Sequence, residues 1–222
     1  MKKSTLTRFI IIFLLPALFA SCKKESDAPA NPATDLKNTV WAGEFSYNSG
    51  VYTSLQPFSL LLKSDNTVEW SDANDSKFAG TWQVKSDTVT VRFPSGSGFV
   101  AIVKGDQFTQ FKGIAGSQYQ VDNLTKWTVP KAESLVGTSW TSSIGTYNFK
   151  STSEVENVSA GSGTLKYSWS VDGGGLRILY SYLSYTMTQY CVLQPADKQM
   201  KCARSVSFGA TQNFFVFGMT RQ

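Results

Sequence analysis

The sequence predicts an all-β protein of two tandem small antiparallel up-and-down β-barrels, which follow an export segment and a flexible tether. Three observations support this fold class. A pattern of the form P-x-x-[DE]-(x)-L-x-[NG]-T-x-W occurs twice and ends at Trp41 and at Trp140. Apolar and polar residues alternate with a period of two in short segments separated by turn residues. Aromatic residues form 14% of the chain, which favours packed β-structure over disorder.

Residues 1–22 are predicted to be a lipoprotein signal peptide. Lys2, Lys3 and Arg8 precede an apolar run that is too short to span a bilayer as a helix. The run ends in F-A-S before Cys22, and small residues before a cysteine resemble the lipobox of bacterial lipoproteins. That resemblance implies lipidation of Cys22 and a membrane partner through the lipid anchor. The alternative is an ordinary secretory signal that ends near a cysteine.

The residues after Cys22 predict the location and the tether. Lysines follow the cysteine, where an aspartate would indicate inner-membrane retention, so the resemblance implies the cell envelope at the outer membrane, on its periplasmic or surface face. Residues 23–37 are polar, contain prolines and alanines, and are typical of a flexible tether. Without the three basic residues of the export segment, 18 basic and 16 acidic residues remain. This balance of +2 leaves no basic stripe, and a nucleic acid partner is not expected.

Repeat one, residues 38–129, is predicted to contain eight short strands. Polar or glycine-containing turns separate them, and strict alternation places aromatic and aliphatic side chains on one face of each strand. The expected strands lie at residues 41–47, 58–63, 67–71, 78–84, 88–93, 99–103, 108–112 and 119–128.

Repeat two, residues 130–222, follows the same plan. Lys150 aligns with Lys63 and Trp169 with Trp82, and the alternation keeps its phase between the two copies. The joint between the repeats begins at Pro130, where a short helical turn is expected. Tight turns join neighbouring strands, and eight antiparallel strands can close on themselves and remove exposed sheet edges.

Short motifs in both repeats resemble the small lipocalin-like domains of lipoproteins from Gram-negative bacteria. The motif residues are 41, 62–67 and 80–84 in repeat one, and 135–140, 149–151 and 167–173 in repeat two. The resemblance implies a small β-barrel with an apolar interior that binds a hydrophobic molecule, and it implies no reaction. It also makes Trp41 and Trp140 structural residues of each barrel floor.

The chain contains no histidine. Serine–histidine and cysteine–histidine nucleophile pairs and the usual zinc ligands are therefore excluded. We expect a protein that is not an enzyme and has no cofactor and no catalytic or metal-binding residue. The acids Glu154 and Glu156 are interpreted as solubilising residues of one exposed strand face rather than as a glycosidase pair.

Cys191 and Cys202 are predicted to form a disulfide. A hairpin turn at residues 195–198 pairs Gln194 with Gln199, and the same register places Cys191 opposite Cys202. An exported chain lies in a compartment that permits disulfides. The alternative is a pair of buried free thiols.

The same hairpin register suggests a ligand site in repeat two. It places Gln189 opposite Arg204, on a face shared with Tyr185 and Met187. One interpretation makes Arg204 the polar contact of an apolar cavity. The favoured alternative is structural: Arg204 stacks on the floor residue Trp140. Arg221 is an equally good candidate for the same stacking position.

Other polar or aromatic clusters have structural interpretations. The four tryptophans at matched positions, Trp41, Trp82, Trp140 and Trp169, are interpreted as core, and the unmatched Trp70 and Trp127 are less constrained but are also interpreted as core. The acidic segment at residues 72–75 is interpreted as a solvated turn rather than a calcium loop. The three glycines at 173–175 open a strand rather than a helix, so they do not predict a phosphate site.

The sequence therefore favours non-catalytic binding of a small, mainly apolar ligand in a barrel. The alternative is an accessory lipoprotein with filled barrels that binds a protein or glycan through its outer aromatic surface. An open, aromatic-lined cavity favours the first function, and barrels filled by their own side chains favour the second. The oligomeric state is left open.

Overall fold

The computed structural model consists of two closed, eight-stranded antiparallel barrels in tandem, as the sequence predicts. In each barrel the strands follow chain order around the sheet, which gives the up-and-down topology. Both barrels belong to one compact unit. The structure describes residues 36–47, 54–74, 78–114, 116–117, 119–194, 198–209 and 211–222.

Barrel 1 is formed by the first eight strands. They are β1 (Thr39–Tyr47), β2 (Gln56–Leu62), β3 (Thr67–Ser71), β4 (Phe78–Lys85), β5 (Thr88–Arg92), β6 (Gly98–Lys104), β7 (Gln107–Gly113) and β8 (Tyr119–Trp127). The alternating residues turn their apolar side chains inward, where they form one continuous core.

Barrel 2 follows a 3₁₀ helix at Ala132–Ser134. Its strands are β9 (Ser139–Ser142), β10 (Gly145–Phe149), β11 (Glu154–Ser159), β12 (Gly163–Asp172), β13 (Gly175–Tyr182), β14 (Tyr185–Leu193), β15 (Gln199–Phe208) and β16 (Thr211–Arg221). In the part of the chain that the structure describes, no helix is long and apolar enough to cross a membrane.

The duplicated sequence pattern closes the floor of each barrel. In barrel 1 the buried Leu36 precedes Thr39, whose hydroxyl donates to the Leu36 carbonyl at 2.6 Å and accepts from Trp41 Nε1 at 2.8 Å. The residue between them, Asn38, has a φ of 56°. Asparagine tolerates this left-handed conformation better than most side chains, which explains its place in the pattern.

Barrel 2 repeats these contacts. Thr138 donates to the Leu135 carbonyl at 2.6 Å and accepts from Trp140 Nε1 at 2.8 Å. Gly137 takes the left-handed position with a φ of 79°. Leu135 and Trp140 are both buried in the core of the barrel. The pattern therefore specifies a leucine plug, a left-handed turn, a threonine bridge and a buried tryptophan.

The second matched tryptophan pair ties the fourth strand of each barrel to the preceding turn. Trp82 Nε1 donates to the Lys63 carbonyl at 3.1 Å, and Trp169 Nε1 donates to the Ser151 carbonyl at 2.9 Å. Ion pairs recur beside these turns: Lys63 with Glu69 at 3.0 Å, and the pair Lys150–Glu156 at 3.2 Å. All four matched tryptophans are buried.

The first hairpin of barrel 2 is much shorter than that of barrel 1. Twenty-two positions separate Trp41 from Lys63, but ten separate Trp140 from Lys150. In barrel 1, β1 pairs with β8 from Val40 to Tyr47. In barrel 2, β16 pairs with β9 only near its end, at Thr220–Thr141 and Arg221–Trp140. The preceding stretch of β16, residues 211–219, pairs with β15 on one side and with no described strand on the other.

The β14–β15 hairpin has the register that the sequence predicts. Cys191 lies directly opposite Cys202, and the two side chains form a disulfide in the core of barrel 2. Gln194 N donates to the Gln199 carbonyl at 2.7 Å, which continues the pairing toward the turn. The predicted turn residues 195–197 lie outside the described residues.

The two barrels pack through their outer faces. Ala42 on β1 and Ala73 join Tyr190, Val192 and Ala203 of barrel 2 in a small buried cluster. Small side chains on both sides let the sheets approach closely. This contact explains why β2 is almost wholly buried on both faces, since its inward residues fill barrel 1 and its outward residues meet barrel 2.

Polar contacts across the interface surround Tyr190. Its hydroxyl donates to the Asp172 carbonyl at 3.0 Å and lies 2.7 Å from the Ser59 hydroxyl of barrel 1. Arg177 pairs with Asp172 at 2.6 Å and also donates to the Asp72 carbonyl of barrel 1 at 3.2 Å. Burial raises the pKa of Tyr190, so its hydroxyl stays neutral and serves as a hydrogen-bonding group.

The glycine triplet of barrel 2 makes this approach sterically permissible. A Cβ on Gly173 would overlap the Ser71 side chain, and one on Gly174 would overlap Val40 and Ser59. These glycines belong to the β12–β13 turn, which packs directly against barrel 1. Their role is thus close packing between barrels, and no phosphate site is needed to explain them.

We predict that Gly174→Ala weakens docking of the barrels. The added methyl group must displace Val40 or Ser59, and overpacking of this kind costs about 1–3 kcal/mol. Urea unfolding should show this loss in the free energy of unfolding. The control is Gly218→Ala, where the nearest atom to the new Cβ is 3.8 Å away. Equal stability of Gly174→Ala and the wild type would contradict the packing role.

We predict that the double variant Cys191→Ala, Cys202→Ala is less stable than the oxidised protein. The disulfide joins residues 11 positions apart. Closing a loop of that size in the unfolded chain contributes about 3 kcal/mol. Chemical unfolding measures the difference, and alkylation in denaturant before reduction should leave both cysteines unlabelled. Labelling of either residue in the exported protein would show that the disulfide does not form.

Candidate functional site

Barrel 1 contains a cavity of about 250 Å³ at the end opposite its floor. Among the described residues, its lining consists of six aromatic side chains, Asp72, two serines and a glycine. The aromatic residues are Phe45, Tyr47, Trp70, Phe78, Phe93 and Tyr119.

Strand alternation brings these rings together. Phe45 and Tyr47 are two positions apart on β1 and therefore share its inner face, and Tyr47 is paired with Tyr119 on β8. Trp70 reaches the same space from β3 and lies 4.9 Å from Phe45 and 5.0 Å from Tyr119, measured between ring centroids. Its other face stacks on Phe58 at 4.0 Å. These contacts hold the tryptophan in place and preform the cavity.

Asp72 is the charged residue of the cavity lining. Its side chain accepts from Trp70 Nε1 at 2.9 Å and from Asn74 N at 2.7 Å. Only 1% of the residue is exposed, so the predicted solvated turn is wrong at this position. The outer face of barrel 1 is covered here by barrel 2, whose Arg177 binds the Asp72 carbonyl. Burial raises the pKa of Asp72, although its hydrogen bonds act in the opposite direction.

The remaining polar groups of the lining are hydroxyls. Tyr47 OH accepts from Asn74 Nδ2 at 2.7 Å, and Tyr119 OH donates to Ser97 Oγ at 3.4 Å. Ser95 and Ser97 lie 2.7 Å apart between their Oγ atoms. Burial raises the pKa of Tyr119, so it stays neutral. The lining thus offers neutral hydrogen-bonding groups around an aromatic space.

The calcium alternative receives no support from the geometry. The Asp72 carboxylate is already bound by Trp70 and Asn74, and Asp75 lies outside the described residues. Among the residues that the structure describes, no group of three or more histidine, cysteine, aspartate or glutamate side chains converges.

The four residues predicted to bind a ligand lie in barrel 2, away from this cavity. The register places Gln189 opposite Arg204, Met187 opposite Val206, and Tyr185 opposite Phe208, as predicted. Gln189 and Met187 are buried, whereas Arg204 and Tyr185 are partly exposed. The sequence prediction therefore identified a polar cluster inside barrel 2 and did not identify the cavity of barrel 1.

The favoured prediction that Arg204 stacks on Trp140 is wrong. Arg221, and not Arg204, lies over Trp140, with its guanidinium carbon 5.9 Å from the ring centroid. Arg204 instead points into barrel 2 and donates to Gln189 Oε1 at 2.9 Å and to the Tyr147 hydroxyl. The two arginines were equivalent candidates by sequence, but Arg221 is paired with Trp140 across β16 and β9.

The two barrels carry different inward-facing residues at matched positions of their candidate binding sites. In barrel 1, Leu60 lies opposite Trp70, and in barrel 2 the aligned pair is Tyr147 opposite Asn157. Phe99 in barrel 1 has the register position of Gln189 in barrel 2. Substitution of apolar by polar residues at matched positions is the sequence signal that would have identified both interiors.

The other unmatched tryptophan and the paired acids have structural roles. Trp127 is half-buried and packs against the core of barrel 2 and the interface cluster. Glu154 and Glu156 form ion pairs with lysines at 3.1 and 3.2 Å. Cys22 and the rest of the predicted signal peptide lie outside the described residues.

Comparison with family models, with curated proteins and with solved structures finds no match to this chain. The lipocalin-like resemblance therefore stays a prediction, and the strand topology alone defines the fold.

We predict that Asp72→Asn changes how stability depends on pH. The folded-state pKa of Asp72 lies above the ordinary aspartate pKa of 3.8, so Asp72 binds more protons in the folded than in the unfolded protein in that interval. The contribution of Asp72 to the stability of the wild type should therefore be lost as the pH rises from about 3.8 through the folded pKa. The variant cannot titrate, and its free energy of unfolding relative to wild type should rise across this window.

Asp65→Asn is the matched control. Asp65 is exposed and its pKa is lowered, chiefly by the Thr67 hydroxyl. Its contribution is present above the unfolded pKa and is lost as the pH falls, so the two variants should show pH dependences of opposite sign. Urea unfolding between pH 3 and pH 8 measures both. Identical pH dependences of Asp72→Asn and wild type would exclude a raised pKa.

Proposed function

We propose that the protein binds a small, mainly apolar molecule in the aromatic cavity of barrel 1 and catalyses no reaction. The cavity itself carries the proposal: six aromatic rings surround about 250 Å³ inside a closed barrel. Ligand pockets are typically concave, mostly apolar and preformed, with a few polar groups that fix orientation.

The size of the cavity limits the ligand. An apolar cavity of about 150 Å³ accommodates benzene, so this space suits a molecule of one or two rings or a short branched chain. Trp70 and Phe45 offer ring faces and edges for stacking. The hydroxyls of Tyr119 and Ser97 would orient a single polar substituent of the ligand.

The described residues of the lining show no catalytic geometry, which supports binding alone. Asp72 is the acidic residue of the cavity lining, and Trp70 and Asn74 already occupy its carboxylate. General acid–base catalysis needs a titrating group that can reach the reacting atoms, and glycoside hydrolysis needs two. The lining therefore favours a carrier or sensor of a small molecule.

The open cavity also favours ligand binding over the alternative of an accessory protein with filled barrels. In barrel 1 the floor is filled by Trp41 and Phe108, which stack at 4.3 Å, and the described residues leave a cavity of about 250 Å³ at the opposite end. In the proposed cell-envelope role, Cys22 anchors the protein and a tether separates the barrels from the membrane. The tether predicted at residues 23–37 must end before Leu36, because Leu36 is buried in the core of barrel 1.

We predict that Phe78→Ala weakens binding of a neutral aromatic probe such as indole. Phe78 lines the cavity and is 47% exposed, so its truncation removes a wall with little loss of stability. One aromatic contact contributes about 0.5–1.5 kcal/mol, which corresponds to about a 2- to 13-fold loss of affinity. The rise in unfolding temperature with indole concentration measures the affinity.

Phe208→Ala is the matched control. Phe208 is 64% exposed but belongs to β15 of barrel 2, so its truncation should leave indole binding unchanged. Native mass spectrometry of the purified protein should in addition show a bound small molecule. If indole fails to stabilise the wild type and no small molecule co-purifies, the proposed function is wrong.

A further inference from the structure

Barrel 2 holds a positive charge in its interior. Arg204 lies on the inner face of β15, between the core residues Cys202 and Val206. Its Nε and Nη2 atoms donate to Gln189 Oε1 at 3.2 and 2.9 Å, and Nη2 also donates to the Tyr147 hydroxyl. The guanidinium carbon is 5.5 Å from the centre of the Phe217 ring. These contacts fix the orientation of the guanidinium plane.

This charge has no counter-charge in the described structure. The ion pairs of the described residues join other lysines and arginines to carboxylates, and none includes Arg204. Both groups that bind Arg204 are neutral, because burial raises the pKa of Tyr147. Arg204 keeps partial contact with water, but charges inside proteins are normally paired.

The neighbouring side chains add further donors. Asn157 lies opposite Tyr147 and is 3% exposed, and its Nδ2 has no hydrogen-bond partner among the described residues. Gln189 Nε2 contacts only the sulfur atoms of Cys191 and Met219, which are weak acceptors. The cluster therefore has more hydrogen-bond donors than acceptors.

The shortened first hairpin opens a route to this cluster. Phe215 lies opposite Arg204 on β16, and its side chain is 53% exposed although it shares the inner face. This part of β16 has no described strand on its other side, whereas the full length of β1 covers the matching wall of barrel 1. Arg204 is accordingly still partly exposed.

The barrel architecture does not require this polar cluster. The matched positions in barrel 1 carry Leu60, Trp70 and Phe99, which are all buried in an apolar core. The same fold is thus built with an apolar interior in one repeat and with a donor-rich interior in the other.

We propose that barrel 2 is a second binding site, which takes the carboxylate of a small amphipathic organic acid. The Arg204 guanidinium pairs with the carboxylate, Gln189 and Tyr147 hold the guanidinium in position, and the Asn157 amide supplies an additional donor. The planar fork of arginine matches carboxylate geometry, and such charge-assisted bonds are stronger than neutral ones. The apolar part of the acid contacts Phe215 and Phe217, which lie on the stretch of β16 that has no described strand on its other side. This site is independent of the cavity in barrel 1.

Isothermal titration calorimetry with octanoate and with octan-1-ol tests the proposal. The two probes have the same chain length and differ in the carboxylate. Arg204→Gln should lose about tenfold or more of the octanoate affinity and none of the octan-1-ol affinity, because only the acid can pair with the guanidinium. Arg204→Lys keeps the charge but loses the planar fork, so its octanoate affinity should lie between those of the wild type and Arg204→Gln. Arg221→Gln is the control and should bind octanoate like the wild type.

Two further measurements test the site if the variant does not fold and separate it from the cavity of barrel 1. If Arg204→Gln does not fold, ¹⁵N-arginine labelling of the wild type reports the site directly, since the Arg204 Nε–H resonance should shift with octanoate and that of Arg221 should not. Phe78→Ala should leave octanoate affinity unchanged, which separates this site from barrel 1. An unchanged octanoate affinity in folded Arg204→Gln, a stationary Arg204 resonance, or loss of octanoate binding in Phe78→Ala would each overturn the proposal.

Discussion

The hydrogen-bonded floor of each barrel is the constraint on which the rest of the structure depends. A threonine hydroxyl bridges the carbonyl of the plugging leucine and the indole of the entry tryptophan, as in Leu36, Thr39 and Trp41. The bridge fixes the tryptophan on the inner face of the first strand. Because side chains alternate along a strand, this choice sets which residues of the neighbouring strands can face the core. A slip by one residue would turn the apolar set toward solvent.

The two barrels share the same floor contacts but differ in the side chains at the opposite end. The floor contacts are nearly identical in the two copies, whereas the upper interior differs at matched positions, as Trp70 and Asn157 show. Barrel 1 keeps a long first hairpin and an aromatic cavity. Barrel 2 has a short first hairpin, a stretch of β16 at residues 211–219 with no described strand on one side, and a donor-rich interior. Duplication of one stable frame thus provides two chemically distinct interiors within one chain.

The interface between the barrels links these features. The glycine turn at 173–175 allows close approach, and Arg177 reaches from barrel 2 to the carbonyl of Asp72. Asp72 consequently lies at the cavity of barrel 1 and at the contact with barrel 2. An ion pair between Lys201 and Glu44 adds a partly exposed contact at the edge. The relative placement of the barrels therefore contributes to the burial of Asp72 in the cavity lining.

The sequence by itself determined the strands, the tandem barrels and the pairing of Cys191 with Cys202. These properties follow from local rules, namely alternation along a strand and the register of a hairpin across a short turn. These local rules could not predict most of the candidate site. Arg204 and Arg221 are equivalent by sequence, and the closure of β16 on β9 decides which of them meets Trp140. The burial of Asp72 likewise depends on contacts between segments far apart in the chain. Only the tertiary structure sets such contacts, because they require both barrels to be closed and docked.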